Sequence, residues 1–531
     1  MRQRNKGSSL RPSRILTIRP APKSADRFPI RVAEREATPS TWALIWAIAL
    51  VSRCCVALIL PNAEQDGYSY AEIITRLSGL MASGNFRPAD LFGFWLPLFQ
   101  FVSAILNLFI HNPIVAGKIV NLICGTITCV LVFAITLNLT KSLAYAWLAF
   151  ALIILNPLHI LYSAACMTDI PHSCLVLGSL WFILRKRWIG GALLAALAEC
   201  VRIEAWALIL VLPCLQLIRE RRISLIALAI LLVPPVAWLA IGRYATGDTF
   251  TYFADRARYQ ASYLEFYPTR HGFTFSDVYR DAIYFLSGAN GTVLLAAIIA
   301  NGIIISRRLI VSRDLWWSVI AIGAYGCALF SALLFAYVTK AQPVLFPRYG
   351  LIFFVLGLPL FAWLLQVVMN RLKPRRLAEL VVVAAIAVLV WQAEAQVPTI
   401  FKVLADFHAH KHLIADLLSQ FHDATPESRC FSDDAAIHIM SGQPSERFLG
   451  STTVPTRARQ SQAEFESYLR DEHVAFLVFA RTENSLPVKF YPELGRSPKS
   501  DTTKFELISS AHSPFGPDLW LYRLRDAPMA R

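Results

Sequence analysis

Residues 171–222 read PHSCLVLGSLWFILRKRWIGGALLAALAECVRIEAWALILVLPCLQLIRERR. Three apolar segments follow one another, and the basic run Arg185-Lys186-Arg187 separates the first from the second. Short basic connections mark the cytoplasmic side of a membrane. The second and third segments meet at Arg202-Ile203-Glu204, and the third ends in another basic run. This alternation predicts a chain that crosses a membrane repeatedly, with Arg202 and Glu204 at the outer face.

The whole chain has the same character. Of its 531 residues, 56% are hydrophobic and only 16% are charged. Many apolar runs approach the roughly 20 residues that cross about 30 Å of hydrocarbon, which is more than a soluble core needs. The formal charge of +15 is concentrated in one tail and in short connections. This distribution argues against nucleic acid as a partner and favours a polytopic α-helical membrane protein.

The basic connections predict on which side of the membrane each apolar segment begins and ends, and hence which segments cross. They are Arg185-Lys186-Arg187, Arg219 with Arg221 and Arg222, Arg307-Arg308 with Arg313, and Arg371 with Lys373, Arg375 and Arg376. The predicted spans lie near 42–60, 114–138, 143–160, 171–184, 188–201, 205–218, 223–241, 290–305, 315–337, 348–370 and 377–395. The stretch 93–110, which Pro97 interrupts, must then stay on one side, and we expect an interfacial or re-entrant helix there.

This threading divides the chain into three parts. Residues 1–41 hold ten Arg or Lys against three acidic residues and predict a disordered basic cytoplasmic tail. Residues 42–395 form an inner-membrane module of about eleven spans with outer loops 61–113 and 242–289. Residues 396–531 contain the strand patterns VAFLVFA at 474–480 and LWLYRL at 519–524 and an amphipathic helix at 463–469. They predict a small extracytoplasmic α/β domain.

Acidic residues directly follow the first predicted span, in Glu64-Gln65-Asp66-Gly67. Two carboxylates at this spacing, held at the membrane rim, can share a divalent cation or divide the roles of base and ligand. An acidic solvated loop is the alternative, and the spacing alone favours neither.

Three further charged positions fall at predicted outer ends of spans. Asp169 precedes Ile170-Pro171 and is either a functional carboxylate or part of a helix cap. Arg202 and Glu204 are a functional site or a structural ion pair, because charges at this depth are costly unless paired. Arg348-Tyr349 could hold a lipid phosphate, or it could be an interfacial Arg in an aromatic belt.

Two segments have unusual composition. Residues 242–289 hold 13 Phe or Tyr, five Arg and five acidic residues, which is more typical of a binding lid than of a linker. The sequence HAHKH at 408–412 is compatible with metal ligation, but an exposed juxtamembrane helix is the favoured interpretation.

Taken together, these motifs resemble the GT-C class of integral-membrane glycosyltransferases, which includes the protein O-mannosyltransferases and the aminoarabinose transferase of lipid A. The resemblance covers roughly residues 42–395. Its motifs are Glu64-Gln65-Asp66-Gly67 with Tyr70, Trp95-Leu96-Pro97-Leu98, Asp169 after Asn156-Pro157, Arg202-Ile203-Glu204, and Arg348-Tyr349 before a span with Pro359. The spacing of Glu64 and Asp66 departs from the adjacent Asp-Glu of many members, and Lys118 stands where many have Arg.

The resemblance implies a mechanism of the hexosyl or mannosyl type. A polyprenyl- or dolichyl-phosphate sugar would react at the outer membrane face with a hydroxyl of a glycan, lipid or protein acceptor, and the anomeric centre would invert. Asp66 would be the general base. Glu64 or Asp169 would hold a divalent cation, Mg or Mn, or orient the sugar. Arg202 and Arg348 would neutralise the phosphate, and Tyr70, Glu204 and Tyr349 would complete the substrate site.

Two other classes of function stay open at this point. A transporter would line its pathway with intramembrane charges, yet the threading places all notable charges except Arg53 at one face. A non-catalytic scaffold with an outer binding domain is the other alternative. Replacement of Asp66 distinguishes them, because an enzyme loses turnover and a scaffold does not.

Overall fold

The computed structural model describes most of the chain. The described residues are 37–62, 64–266, 274–306, 312–339, 344–451, 453–455, 457–480, 485–494, 504–512 and 518–525, without the side chains of 64–65 and 259–266. The predicted basic tail lies outside them up to residue 36. The described chain is mostly helical and ends in a small sheet, as the sequence predicts.

Apart from α2, which lies in the predicted outer loop 61–113, the helices of the first half fall on the predicted apolar segments. They are α1 (Pro39–Ile59), α2 (Glu64–Ala82), α3 (Leu98–Ile110), α4 (Pro113–Thr140), α5 (Leu143–Ile154), α6 (Pro157–Ser163), α7 (Asp169–Leu184), α8 (Trp188–Glu199) and α9 (Leu208–Glu220). Short 3-10 helices occupy Pro88–Leu91 and Ile203–Ala207. The predicted outer loop 61–113 is therefore largely helical.

The second half of the membrane module is also helical. Its helices are α10 (Leu225–Thr246), α11 (Thr251–Phe266), α12 (Phe275–Ala289), α13 (Gly291–Ile305), α14 (Arg313–Val338), α15 (Pro347–Arg371) and α16 (Arg375–Glu394). The predicted aromatic loop 242–289 thus consists mainly of the end of α10 together with α11 and α12.

Prolines and Asn or Thr caps determine where several helices begin. Pro39, Pro113 and Pro157 each occupy a first helical position, where the missing N–H leaves no hydrogen bond unmade. The preceding Asn112 accepts a hydrogen bond from the backbone N–H of Val115 at 3.0 Å, as a helix N-cap does. These local signals determine where α1, α4 and α6 begin.

Among the described residues, six helices are long and apolar enough to cross a membrane, or eight if each of two bent pairs counts as one span. The bent pairs are α5 with α6, at 65°, and α12 with α13, at 82°. Helix α3, within the stretch predicted not to cross, has 13 residues. At about 1.5 Å per residue it is too short to span about 30 Å of hydrocarbon. The total of eleven spans stays a prediction.

Helix α15 lies at the centre of the module. Its apolar window is 83% buried, against 17% for α1 and 11% for the helix that begins at Arg375. Gly288 and Gly350 let the ends of α12 and α15 touch through their backbones, since a Cβ on Gly288 would lie 1.6 Å from the carbonyl oxygen of Pro347. This close packing holds the first turn of α15, with Arg348, in a defined position.

The C-terminal part forms a five-stranded mixed sheet with helices on its faces. Its elements are α17 (Val397–Asp423), β1 (Arg429–Ser432), α18 (Ala435–Ser441), β2 (Phe448–Leu449), α19 (Gln462–Asp471), β3 (Val474–Ala480), α20 (Leu486–Phe490), β4 (Phe505–Ala511) and β5 (Leu519–Leu524). The strand order is β2-β1-β3-β5-β4. Both predicted strands and the predicted amphipathic helix are confirmed as β3, β5 and α19.

Helix α17 joins this sheet to the membrane module. Val403 packs in the core of the module, whereas Ala409 and Leu413 pack under the sheet. The hydrophobic core therefore changes within α17 rather than at the predicted boundary of residue 396. Helix α18 packs on α2, where His438 Nδ1 lies 2.6 Å from Glu72 Oε1. The sheet domain thus rests on the helix that carries Asp66.

Candidate active site

Four charged side chains meet where helices begin. Asp66 lies in the first turn of α2, Asp169 is the first residue of α7, and Arg348 is the second residue of α15. Arg202 directly precedes the short helix Ile203–Ala207. Asp169, Arg202 and Arg348 line one cavity, and Asp66 pairs with Arg348. Because helix N-termini carry partial positive charge, their convergence adds to the two guanidinium groups and suits an anionic ligand.

The first ion pair joins residues 282 positions apart in the sequence. Arg348 Nη2 lies 2.5 Å from Asp66 Oδ2. The Arg348 side chain is 9% exposed, whereas that of Asp66 is 36% exposed. Of the carboxylates that pair with these two arginines, Asp66 is the most accessible. It is therefore the one that a group arriving from outside the protein can reach.

The charged groups of the second cluster, around Arg202, are largely buried. Arg202 Nη1 lies 2.9 Å from Asp169 Oδ1, and Nη2 lies 2.9 Å from Glu204 Oε1. Nε of Arg202 also donates to Glu204 Oε2 at 3.3 Å, which completes a forked pair. Burial raises the pKa of Glu204, but the Arg202 guanidinium more than offsets this and the pKa falls to about 2. Glu204 is therefore a carboxylate at neutral pH and serves to hold Arg202.

Tyr349 lies close to both arginines. The guanidinium of Arg202 lies 4.9 Å from the centre of its ring, and that of Arg348 lies 5.4 Å from it. A cation over an aromatic face is a favourable cation–π arrangement. The ring therefore contributes to holding both guanidinium groups beside the cavity.

Tyr70 lies beneath this constellation. Its side chain is 3% exposed, and its hydroxyl is 3.4 Å from Oγ1 of Thr168, the residue before Asp169. The ring packs edge-on against Trp95 at 4.9 Å. Tyr70 therefore joins the first turns of α2 to the residue before α7, and its predicted contact with substrate requires the site to open.

Helix α4 holds the two acidic segments together. Lys118 donates to the carbonyl oxygen of Leu60 at 2.6 Å, at the end of α1, and Asn121 donates to that of Met167 at 2.7 Å. The side-chain oxygen of Asn62 accepts a hydrogen bond from the backbone N–H of Cys166 at 2.8 Å. Lys118 and Asn121 thus hold the approaches to Asp66 and to Asp169 on α4, and Asn62 joins the two approaches to each other.

Sequence reasoning did not single out Asn62, Asn121 or His172. Asn121 lies inside a predicted span, where an amide must find a hydrogen-bond partner. This position in the sequence was the signal that could have identified it. His172 follows Asp169 by one helical turn and lines the cavity. The i and i+3 spacing of the two residues was a signal for a shared face.

The two residues predicted to hold a cation are not described to the same extent. Glu64 begins α2, but its side chain lies outside the described residues. Asp169 has one oxygen engaged by Arg202. No group of three or more His, Cys, Asp or Glu that could hold a metal ion occurs among the described residues. The predicted divalent cation stays a prediction.

The aromatic segment packs against the first outer region. Tyr252 is 1% exposed and accepts a hydrogen bond from Nε of Arg256 at 2.9 Å. The Arg256 guanidinium lies 4.9 Å from the centre of the Phe94 ring. Residues 267–273 of the predicted lid lie outside the described residues. Part of this segment is therefore a packed helical layer, and closure over a ligand stays a prediction.

The histidines of HAHKH take different roles. His408 and His412 are exposed, as the favoured interpretation predicts, whereas His410 is 14% exposed and lies 2.8 Å from Asp434. Burial lowers the pKa of His410, but the Asp434 carboxylate outweighs this and raises the pKa to about 9. His410 thus joins α17 to the sheet domain.

Comparison with known proteins agrees with this geometry. ArnT from Cupriavidus metallidurans bound to undecaprenyl phosphate matches with a TM-score of 0.56 at 14% identity, over 93% of this chain and 100% of that chain. Its apo structure matches with a TM-score of 0.55 at 13% identity, over 91% and 98%. The chain has the GT-C glycosyltransferase fold. With its long apolar helices, this fold makes the protein an integral membrane protein.

The sequence comparisons cover less of the chain than the structural comparison does. A model of the dolichyl-phosphate-mannose-protein mannosyltransferase family matches residues 69–198. This range includes Tyr70 and Asp169 but not Asp66, Arg202 or Arg348. No curated protein matches the sequence. The part of the GT-C fold that carries both arginines is therefore recognised by structure and not by the family match.

Proposed function

We propose that this protein is a glycosyltransferase that moves a sugar, of the hexosyl or mannosyl type, from a polyprenyl-phosphate donor to an acceptor hydroxyl at the outer membrane face. The observation that carries the proposal is an accessible carboxylate, Asp66, paired with an enclosed cation, Arg348, at the convergence of helix starts. The GT-C fold and the family match support the same reaction class.

The reaction follows from the positions of these groups. The acceptor hydroxyl gives its proton to Asp66 as its oxygen forms the new bond to the anomeric carbon. The bond from that carbon to the phosphate oxygen breaks, and polyprenyl phosphate leaves with the bonding electrons. Attack from the side opposite the phosphate inverts the anomeric centre. No strong general acid is needed, because a phosphate monoester dianion is a good leaving group.

Electrostatics require a rearrangement when the donor binds. Among the described side chains, Arg202 and Arg348 pair with the carboxylates of Asp66, Asp169 and Glu204 before donor is present. A phosphate entering this site competes with Asp66 for Arg348, because the accessible carboxylate is the more easily displaced. Release of Asp66 leaves it free to accept a proton. Donor binding thus prepares the base.

We also propose the full topology in which this reaction takes place. The chain crosses the inner membrane eleven times, with the N-terminus in the cytoplasm and the sheet domain outside. A reporter active only outside the cytoplasm, fused after Arg525, is expected to give signal. Signal from a cytoplasm-only reporter at the same position would contradict both the topology and the outer placement of the site.

Transport is the less favoured class of function. Arg53, the charge predicted at mid-span, is 0% exposed and lies 2.9 Å from Nδ1 of His159. It also approaches the carbonyl oxygen of Ile153 at 3.4 Å. The Arg53 guanidinium is therefore hydrogen-bonded within the protein, whereas the ion pairs of Arg202 and Arg348 lie at the candidate site.

Direct measurement of transfer tests the proposal. The purified full-length protein in lipid nanodiscs receives undecaprenyl phosphate carrying mannose, glucose or galactose, and extracts of membranes from the producing cells serve as acceptors. Mass spectrometry is expected to find a hexose added to an acceptor and an equal amount of undecaprenyl phosphate released. Absence of transfer from every donor, with the donors shown to bind, would reject the proposed reaction.

A further inference from the structure

Two buried polar atoms in the cavity lack a partner. Oδ2 of Asp169 and Nε2 of His172 are buried and make no hydrogen bond to any residue that the structure describes. The side chain of Asp169 is 5% exposed and His172 is 4% exposed, and both line the cavity. They are three residues apart on α7, so they share one face of the helix. Buried polar groups without partners are rare and costly, and here they point to a polar ligand.

Three other residues with unpartnered buried atoms do not share this setting. Gln100 and Glu199 also leave buried polar atoms without partners, but neither lines the cavity. Nε2 of His159 is unpartnered as well, yet its ring is held by Arg53 away from the cavity lining. Asp169 and His172 are therefore the unpartnered pair that a ligand in the described cavity would meet.

The chemistry of the pair selects the ligand. A phosphate oxygen only accepts hydrogen bonds, so the unpaired oxygen of Asp169 would repel it. A divalent cation would meet the guanidinium of Arg202, which lies 2.9 Å from the other oxygen of Asp169. A hydroxyl group donates to a carboxylate and can either donate to or accept from an imidazole nitrogen, whichever tautomer is present. A hydroxyl therefore satisfies both atoms.

We propose that Asp169 and His172 bind one hydroxyl of the donor sugar, and that the donor headgroup is a neutral hydroxylated sugar. This inference rests on the proposed function and adds His172 to the substrate site. The hydroxyl donates its proton to Oδ2 of Asp169 and pairs with Nε2 of His172. Because Arg202 holds Oδ1 of Asp169, the direction of Oδ2 is fixed, and the sugar lies on the α7 side of the two arginines.

Binding experiments separate sugar recognition from lipid-phosphate recognition. Full-length protein in nanodiscs is titrated, with EDTA present, against bare undecaprenyl phosphate and against undecaprenyl phosphate carrying mannose, glucose or galactose. The best sugar is then compared with analogues that each lack one hydroxyl. The variants are His172→Phe, which keeps a ring without nitrogen, His172→Gln, which keeps a donor and an acceptor, and His408→Phe, the exposed control.

The expected pattern is specific to the sugar. The wild type binds one analogue at least about 10-fold more weakly than the intact donor, because a polar partner in the site is left unpaired. His172→Phe loses a similar factor for the intact donor, binds bare undecaprenyl phosphate normally and distinguishes that analogue less strongly than the wild type does, because only Asp169 still contacts the hydroxyl. His172→Gln recovers part of the loss, and His408→Phe matches the wild type.

Each other outcome contradicts the inference. An equal loss for bare and sugar-bearing lipid assigns His172 to the phosphate or to folding, and no loss at all removes it from the site. Sugar recognition that appears only without EDTA assigns the pair to a cation. If His172→Phe does not fold, the deoxy series on the wild type and His172→Gln decides. Failure of the wild type to bind any of these lipids would instead overturn the proposed function itself.

Discussion

The two arginine clusters of the candidate site differ in access. Arg348 pairs with Asp66, whose side chain is 36% exposed, whereas Arg202 holds Asp169 and Glu204, which are 5% and 17% exposed. The same ion-pair chemistry therefore serves two purposes. An enclosed carboxylate keeps a fixed geometry, and an accessible one can exchange partners and meet a substrate. Solvent access therefore distinguishes the carboxylate that we expect to act as the base from the carboxylates that we expect to hold Arg202 in place.

The largest expected effect is at the accessible carboxylate. Asp66→Asn keeps the shape of the side chain but removes the proton acceptor, so turnover is expected to fall by about 10²–10⁴-fold. Folding and donor binding are expected to persist, because an exposed substitution usually changes stability by less than about 0.5 kcal/mol. Turnover in nanodiscs and thermal unfolding measure the two effects.

A matched control is present in the same chain. Asp255 is 38% exposed and also pairs with an arginine, Arg258, yet it lies outside the cavity lining. Asp255→Asn is expected to leave turnover unchanged. Near-normal turnover in Asp66→Asn would remove Asp66 from the mechanism and shift the base to Glu64 or Asp169.

The second expected effect separates the two arginines. Arg202→Gln leaves two enclosed carboxylates without their partner, and loss of one member of a buried pair costs about 3–5 kcal/mol of folding stability. Arg348→Gln leaves Asp66 accessible to water, so its cost is expected to be clearly smaller, while donor affinity falls in both variants. Thermal unfolding and donor titration make the comparison. Equal destabilisation by the two substitutions would contradict the distinction between framework and exchangeable pair.

Much of this arrangement was predictable from the chain. Basic connections predicted the sides of the membrane, and prolines predicted helix starts, so Asp66, Asp169, Arg202 and Arg348 were all expected at helix ends. Their position at helix starts is confirmed, and the outer side stays a prediction. The strands of the terminal domain followed from the apolar patterns at 474–480 and 519–524. These features depend on local sequence, which can be read directly.

Pairing and anchoring could not be predicted in this way. Arg348 meets Asp66 across 282 positions and Arg202 meets Asp169 across 33, and nothing local to either arginine indicates these distant partners. The pair of Arg202 with Glu204, two residues away, was the one that the local sequence suggested. The anchors on α4 depend on which helix packs beside it. The packing of α17 in two hydrophobic cores was not predicted, because α17 is one continuous helix and its composition does not change where the core changes.

A third prediction concerns Asn121, which holds the segment before Asp169. Asn121→Leu removes the donors to the carbonyl oxygens of Met167 and Tyr162, and an unsatisfied buried acceptor costs about 1–3 kcal/mol. The segment before Asp169 is expected to loosen, with lower thermal stability and reduced turnover. Asn138→Leu, on the same helix but away from the site, is the control. Identical results for the two variants would show that Asn121 has no positioning role.

The smallest effect concerns an enclosed pair away from the cavity. His410 and Asp434 are 14% and 6% exposed, and the pKa of His410 is raised to about 9 from its ordinary 6.5. A raised pKa means that the folded state holds the proton more tightly than the unfolded state. The stabilisation is therefore complete below about pH 6.5 and is lost as the pH rises through about 9.

Hydrogen exchange of the β1 amides, corrected for its intrinsic pH dependence, measures this effect in the full chain. Protection is expected to fall from pH 6.5 to 9 in the wild type, and Asp434→Asn is expected to weaken that fall by removing the carboxylate that holds the proton. The control is Asp518→Asn, because Asp518 faces His512 in a pair whose side chains are 42% and 77% exposed, and solvent screens such pairs. If both variants keep the wild-type slope, enclosure does not govern the strength of ion pairs in this domain. The contrast between the two arginine clusters would then need a cause other than access.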